Sequence, residues 1–315
     1  MNTAFLFPGQ GSQSVAMGKA LYEASAAARE IYALADKIFA EQNPSLAKLS
    51  DIVFSGPEEE LKRTIYTQPA IITLSLALAA ELKARSIKPL YVAGHSLGEF
   101  AALYMADVIS LEDTLKLVAL RGSLMETAPA GAMSAIVGLD EAKLNQIITN
   151  IDGVSVANYN APDQIVLTGT AAGIQVAEDA INAAAAAESL KARVIRLVVG
   201  GAFHSPLMNE PALKFAAAID AAQFSKASIP VIQNINARPV TDAGELKANL
   251  KQQMTGAVQW TSTVKYLLAS GISSVWEIGP GKVLAGLVKK QDRRFTVLNI
   301  EDLASLEQAT MSPSV

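Results

Sequence analysis

Gly94-His95-Ser96-Leu97-Gly98, followed by Glu99, places a serine between two glycines at the G-x-S-x-G spacing of a nucleophile elbow. In such a turn a strand passes sharply into a helix, and the serine Oγ stands clear of the backbone to attack a carbonyl carbon. The flanking glycines are needed because two backbone segments approach closely there. A serine hydroxyl is a weak nucleophile and needs a base. The chain has two histidines, His95 and His204, and no cysteine. His95 adjoins Ser96, and consecutive residues at a strand end point to opposite sides, so it is badly placed to take the Ser96 proton. His204 remains. It lies in Gly201-Ala202-Phe203-His204-Ser205-Pro206, where the apolar stretch Val194 to Val199 gives way to a loop, a common address for catalytic groups.

The elements around these residues suit the chemistry. Leu90 to Ala93 reads as a buried strand, and Glu99 to Tyr104 as a helix with an acid in its first turn. Strand-like and helix-like segments alternate through the chain, the pattern of an α/β protein. Ala4 to Phe7 is an expected strand, followed by the turn-rich loop Pro8 to Gln13. Gln68 to Arg85 is an expected helix with Pro69 near its first turn. Leu111 to Thr127 is another, N-capped by Ser110 with Asp113 at the third helical position. The middle differs. Ala132 to Val137, a helix from Asp140 to Ile148, Val154 to Ala157, Gln164 to Leu167, a helix from Ala171 to Leu190 and Arg193 to Val198 give the order β-α-β-β-α-β of a ferredoxin-like unit. Strands at Val231 to Gln233, Ser274 to Glu277 and Thr296 to Ile300, and helices after Pro206 and from Ala243 to Met254, resume the α/β pattern. The tail from about Thr310 is expected to fray. The expected fold is therefore a large hydrolase-like α/β domain, residues 1–127 and 199–315, with an inserted small ferredoxin-like domain, residues 128–198. Ser96 then sits in the large body and His204 just past the insertion, with the site in the cleft between them.

Composition bounds the function. With 315 residues, 50% hydrophobic and 18% charged, the chain is globular and can bury a sizeable core. No run approaches the ~20 apolar residues of a membrane span; Ala70 to Ala80 is the best candidate and meets Glu81 and Lys83. The N-terminus lacks the basic head of a secretory signal. Two histidines, no cysteine and no clustered carboxylates speak against a metal centre. A net charge of -4 without a basic stripe speaks against nucleic acid. A cytoplasmic enzyme that touches neither membrane nor nucleic acid is the expectation.

Taken in order, several segments are familiar: Phe7 to Gln13, Thr67-Gln68-Pro69-Ala70, Gly94 to Glu99, Arg121-Gly122, Gly131-Ala132-Met133, Asn158-Tyr159-Asn160, Gly201 to Ser205, and Gly279-Pro280-Gly281-Lys282-Val283-Leu284. In this order and spacing the chain resembles the malonyl-CoA:acyl carrier protein transacylases, to about residue 300. The resemblance implies that Ser96 takes malonyl from the coenzyme A thioester and hands it to the phosphopantetheine thiol of an acyl carrier protein, with His204 as base. It implies an oxyanion hole from the backbone N–H groups of Leu97 and Gln10. In place of the carboxylate that usually orients such a histidine, it implies a backbone carbonyl from Gln253, with Gln252 a neighbouring rival. This chain carries Gly256-Ala257 where the family usually has Ser-Pro or Asn-Pro. The resemblance further implies that Arg121 receives the malonyl carboxylate. Met125 and Phe203 would wall the acyl pocket, and Gln68 and Asn160 would contact substrate. Met133 could instead belong to the core. Lys289 and Lys290, in the basic cluster that follows Gly281, are candidates for docking an acidic carrier, with a solvated helix face as the alternative. No bound cofactor is implied, the coenzyme A thioester being substrate.

Three other functions share some of these features. A serine esterase or thioesterase would use the same elbow and base but has no need of Arg121, and normally offers a carboxylate between serine and histidine. A silent carrier-binding subunit would have no use for Ser96, His204, Gln10 and Arg121 together. The same transacylase could serve polyketide rather than fatty acid synthesis.

Overall fold

The computed structural model describes residues 2–311. Ten strands are present among them: β1 (Thr3–Phe7), β2 (Tyr91–Gly94), β3 (Ala132–Val137), β4 (Val154–Ala161), β5 (Gln164–Gly169), β6 (Arg193–Arg196), β7 (Val231–Ile232), β8 (Pro239–Val240), β9 (Ser274–Ile278) and β10 (Thr296–Ile300). Strands of a parallel sheet are covered on both faces and must be apolar on both. The β1 segment Thr-Ala-Phe-Leu-Phe meets that condition, and all five residues are buried. It lies inside a six-stranded sheet of order β10-β9-β1-β2-β7-β8, parallel except for the antiparallel β7–β8 pair. Phe5 and Phe7 point into one core with Ile71, Leu74, Phe100 and Val118, while Ala4 and Leu6 point into the other with Trp260, Val264 and Val288. Phe5 stacks on its register neighbour Trp276 with ring centroids 5.1 Å apart.

Residues 132–196 form a second, antiparallel sheet of order β4-β5-β3-β6. The helices Glu141–Ile148 and Ala171–Glu188 seal it through Ile136, Ile165, Leu167, Leu144, Ile174 and Ile181. Asp140 and Thr170 cap these helices by accepting from the N–H groups of Lys143 and Gly173. The sheet is stitched to the body where Val258 N–H donates to Ala157 O and Tyr159 N–H to Val258 O, at 2.8 and 2.9 Å. Register shifts in β4 fall between Val156 and Asn158 and between Tyr159 and Ala161. Such bulges re-aim side chains, and here they bracket Asn158 and Asn160.

Several expectations are corrected. The central helix runs Thr64–Ala84, so Pro69 lies inside it rather than near its first turn. An interior proline removes a backbone donor and costs ~3 kcal/mol, but nearly every residue of this helix is buried, and packing outweighs the lost bond. Its 21 residues reach the length and apolarity of a membrane span, although 89% of the apolar stretch is buried within the protein. The run beginning at Val154 extends through Ala161, and β6 ends at Arg196, two residues early. Helices Lys19–Ala24, Ala26–Gln42, Leu49–Ser55, Glu58–Leu61, Trp260–Ala269 and Leu303–Met311 are not delineated by sequence. Thr310 is helical, and the tail expected to fray beyond it, residues 312–315, lies outside the described residues.

Candidate active site

Ser96 stands two residues after β2, at the C-terminal end of a parallel strand, where open α/β sheets bind ligands. A Cβ on Gly94 would fall 1.9 Å from the Gly98 carbonyl carbon, and one on Gly98 would fall 2.0 Å from Phe7 O. Only glycine fits at either place. Ser96 itself is held at φ +49, in the left-handed region that residues with a Cβ avoid. Asn234, just past β7, pins the turn: its Oδ1 accepts from Ser96 N–H at 2.6 Å and its Nδ2 donates to Gly94 O at 2.6 Å.

His204 comes to Ser96 from the far side of the cleft, with Nε2 2.7 Å from Ser96 Oγ. Its Nδ1 lies 2.9 Å from Gln253 O and 3.1 Å from Gly256 O. Carbonyl oxygens only accept, so Nδ1 carries the proton and Nε2 is free to accept from the Ser96 hydroxyl. Burial, followed by the nearby Arg121 charge, pushes the His204 imidazole down to about 3, so it is neutral at physiological pH. The unfolded chain would bind a proton that the folded chain refuses. This contribution to stability is therefore complete above ~6.5 and is lost as the pH falls below it.

Arg121 is the third member. It is 1% exposed, and its Nη2 donates to Ser96 Oγ at 3.1 Å and to Gln253 Oε1 at 3.2 Å. Nη1 donates to Gln68 Oε1 at 2.8 Å. Burial lowers its pKa to about 10, which leaves it a cation at neutral pH. Nε is buried without a hydrogen-bond partner. An unpaired buried donor is costly. It lies on the guanidinium edge that carries Nη2, whose two N–H groups are taken by Ser96 Oγ and Gln253 Oε1; only an acceptor that displaced one of these would meet both nitrogens. Gln10, His95, Ser96, Leu97, Arg121, Met125, Met133, Asn158, Leu197, Val199, Phe203 and His204 line a cavity of about 130 Å³ around these groups. A roomier groove of about 490 Å³, at Asp140, Tyr159, Gln259 and Lys265, shares no residue with it. Among the described residues no group of three or more His, Asp or Glu could hold a metal ion.

This geometry has close relatives. Residues 4–309 match the acyl transferase domain family. The chain belongs to that family. It is 41% identical over 313 residues to the malonyl CoA-acyl carrier protein transacylase of Bacillus subtilis, covering 97% of this chain and 95% of the relative. The crystal structure of the Synechocystis malonyl-CoA:ACP transacylase superposes with a TM-score of 0.89 at 38% identity, covering 98% of this chain and 100% of that one. A malonyl-transacylase solved in complex with its type II polyketide synthase acyl carrier protein superposes with a TM-score of 0.89 at 34% identity, covering 98% of each chain.

In this acyl transferase the sequence-expected residues divide into two groups. Ser96, His204, Arg121, Met125, Phe203, Gln10 and Leu97 all face the one cavity. Met133, at the start of β3, is both buried and part of the cavity wall. Gln68 supports Arg121 and donates to Met125 Sδ, and is absent from the cavity lining. Asn160 Oδ1 lies 2.7 Å from His95 Nε2, so Asn160 holds a neighbour of the serine and also does not line the cavity. His95 does line it, but takes Asn160 as partner, and burial holds its pKa below the usual histidine value. Gln252 O is engaged by the N–H groups of Thr255 and Gly256, while His204 Nδ1 takes the Gln253 and Gly256 carbonyls. Lys289 and Lys290 lie on the helix Val283–Gln291, away from the cavity. Lys289 donates to the carbonyls of Arg293 and Phe295, and Lys290 pairs with Asp163 at 2.9 Å. Sequence reasoning missed Asn234, Asn158, Leu197, Val199 and the Gly256 carbonyl. Asn234 had a usable signal, because it follows a strand of the parallel sheet. A backbone carbonyl has none.

Proposed function

We propose that the chain is a malonyl-CoA:acyl carrier protein transacylase working through a malonyl-serine. Ser96 Oγ attacks the malonyl thioester carbonyl as its proton passes to His204 Nε2. The C–S bond then breaks, and the leaving coenzyme A thiolate takes that proton. The phosphopantetheine thiol of an acyl carrier protein runs the same steps in reverse and leaves with malonyl. The N–H groups of Leu97 and Gln10 stabilise the oxyanion, Gln253 O orients His204, and Phe203 and Met125 bound the acyl group. The observation that carries this reading is the buried Arg121 cation 3.1 Å from Ser96 Oγ, with its Nε unpaired. An esterase for neutral acyl groups gains nothing from such a cation, whereas malonyl brings the carboxylate that completes it. We assign the activity to fatty acid synthesis in the cytoplasm; service to a polyketide carrier is the second reading, on the strength of the transacylase–carrier complex. We also divide the chain into the α/β body, residues 1–127 and 199–315, and an inserted ferredoxin-like unit, residues 128–198, whose helix-free face closes the cleft. Mass spectrometry after mixing with malonyl-CoA should show malonyl on Ser96, discharged by holo-acyl carrier protein. Release as free malonate instead of transfer would make the protein a hydrolase.

The base makes a separate prediction. Because His204 is already neutral in the free protein, kcat/KM for malonyl-CoA should stay flat as the pH falls through ~6.5 and drop only at lower pH. A bound malonyl carboxylate neutralises Arg121 and removes part of the repulsion on the imidazole. The acid limb of single-turnover acylation at saturating malonyl-CoA should therefore lie at higher pH than the limb of kcat/KM. His204→Ala should slow acylation by at least ~10²-fold, and His95→Ala should do less. The opposite ranking of the two variants would reverse the assignment.

A further inference from the structure

Glu99 is 1% exposed, and its carboxylate is met by three uncharged N–H groups. Oε1 accepts from Gln233 Nε2 at 3.0 Å, and Oε2 accepts from Asn234 N–H at 3.1 Å and from Gln253 Nε2 at 3.0 Å. The amide orientations are not free. Gln233 Nε2 also donates to Leu246 O, and Gln253 Nε2 to Ser96 O, both backbone carbonyls that can only accept. Glu99 therefore faces donors alone, the surroundings of an ionised carboxylate. On balance its pKa is raised, burial being the largest cause, and these three bonds and the Arg121 charge oppose the rise; the donor-only shell is the geometry that favours the ionised form. The Gln253 amide is a bridge: one end donates to Glu99, and Oε1 accepts from Arg121 Nη2. The backbone carbonyl of the same residue accepts from His204 Nδ1–H.

We propose that Glu99 is the anionic positioning residue of this site, holding Arg121 and the His204-orienting carbonyl together through the Gln253 side chain. A carboxylate thus serves the histidine after all, one residue removed, and the same anion is the countercharge of the buried guanidinium. The inference rests on the transacylase reading and deepens it. A purely structural Glu99 would act only through Asn234 on the elbow backbone, and the two roles separate experimentally.

Glu99→Gln cuts one end of the bridge, and Gln253→Met removes the bridge altogether, together with the bond to Ser96 O, while leaving the backbone carbonyl in place. Each should slow single-turnover acylation of Ser96 by about 10- to 100-fold, with malonyl-CoA and acetyl-CoA alike. KM for malonyl-CoA should not rise in Glu99→Gln, because Arg121 has lost a competing anion. The double variant should be no slower than the worse single one, as expected of two changes in a single connection. Losses that multiply in the double variant, or a Gln253→Met enzyme within about twofold of wild type, would overturn the proposal. Gln253→Met carries the test alone should Glu99→Gln fail to fold. Wild-type protein that transfers no malonyl would instead sink the transacylase reading, so it is assayed first.

Discussion

Ser96→Ala is expected to carry no malonyl after exposure to malonyl-CoA and to pass none to a carrier protein. Removal of a serine nucleophile that works with a histidine costs on the order of 10⁶-fold in kcat, because the covalent route is lost and only binding and oxyanion stabilisation remain. No other side chain can substitute: the chain has no cysteine, and Ser96 Oγ is the hydroxyl 2.7 Å from the base. The fold should survive. Alanine keeps the Cβ that already sits at φ +49, and the truncation forfeits two hydrogen bonds, to His204 and from Arg121, at ~1 kcal/mol each. The backbone offers an independent check. Relief of left-handed strain, ~1–2 kcal/mol for a residue with a Cβ, exceeds the extra chain entropy of glycine, so Ser96→Gly should melt no lower than Ser96→Ala. An undiminished adduct in either variant would place the nucleophile elsewhere.

The part of this site that side-chain chemistry specifies was legible in sequence. Ser96 and His204 stand out because few residue types can act as nucleophile or base, and a chain with two histidines leaves little choice. The caps of Ser110 and Asp140 were legible too, because the side chain that accepts the hydrogen bond is also the signal. What escaped is what long-range packing decides. Pro69 reads as a helix start until the helix is seen wrapped on all sides by the core. Gln68 and Asn160, expected to contact substrate, also brace Arg121 and His95, contacts that depend on packing and that spacing cannot express. Glu99 is written in the elbow motif itself, yet its role depends on Gln233, Asn234 and Gln253 arriving from more than 130 residues away.

Arg121→Ala tests the substrate rather than the machinery. A malonyl carboxylate must leave water to enter a cavity walled by Met125 and Phe203, which costs free energy unless a cation receives it. Truncating one partner of such a desolvated charged pair costs ~2–5 kcal/mol, so malonyl transfer should fall roughly 30- to several-thousand-fold. Arg121→Lys should recover only part of this, since an ammonium cannot reproduce the Nε–Nη2 edge. Acetyl-CoA brings no carboxylate. For acetyl the variant loses one donor to Ser96 Oγ and one brace on Gln253. It also sheds the cation that depresses His204, which leaves a stronger base. These effects oppose each other, so acetyl transfer should change little or rise, and the variant's preference should shift from malonyl towards acetyl. kcat/KM for both thioesters in wild type and variant decides the matter. A fall by the same factor for each would make Arg121 a structural residue and remove the chief physical support for malonyl as substrate.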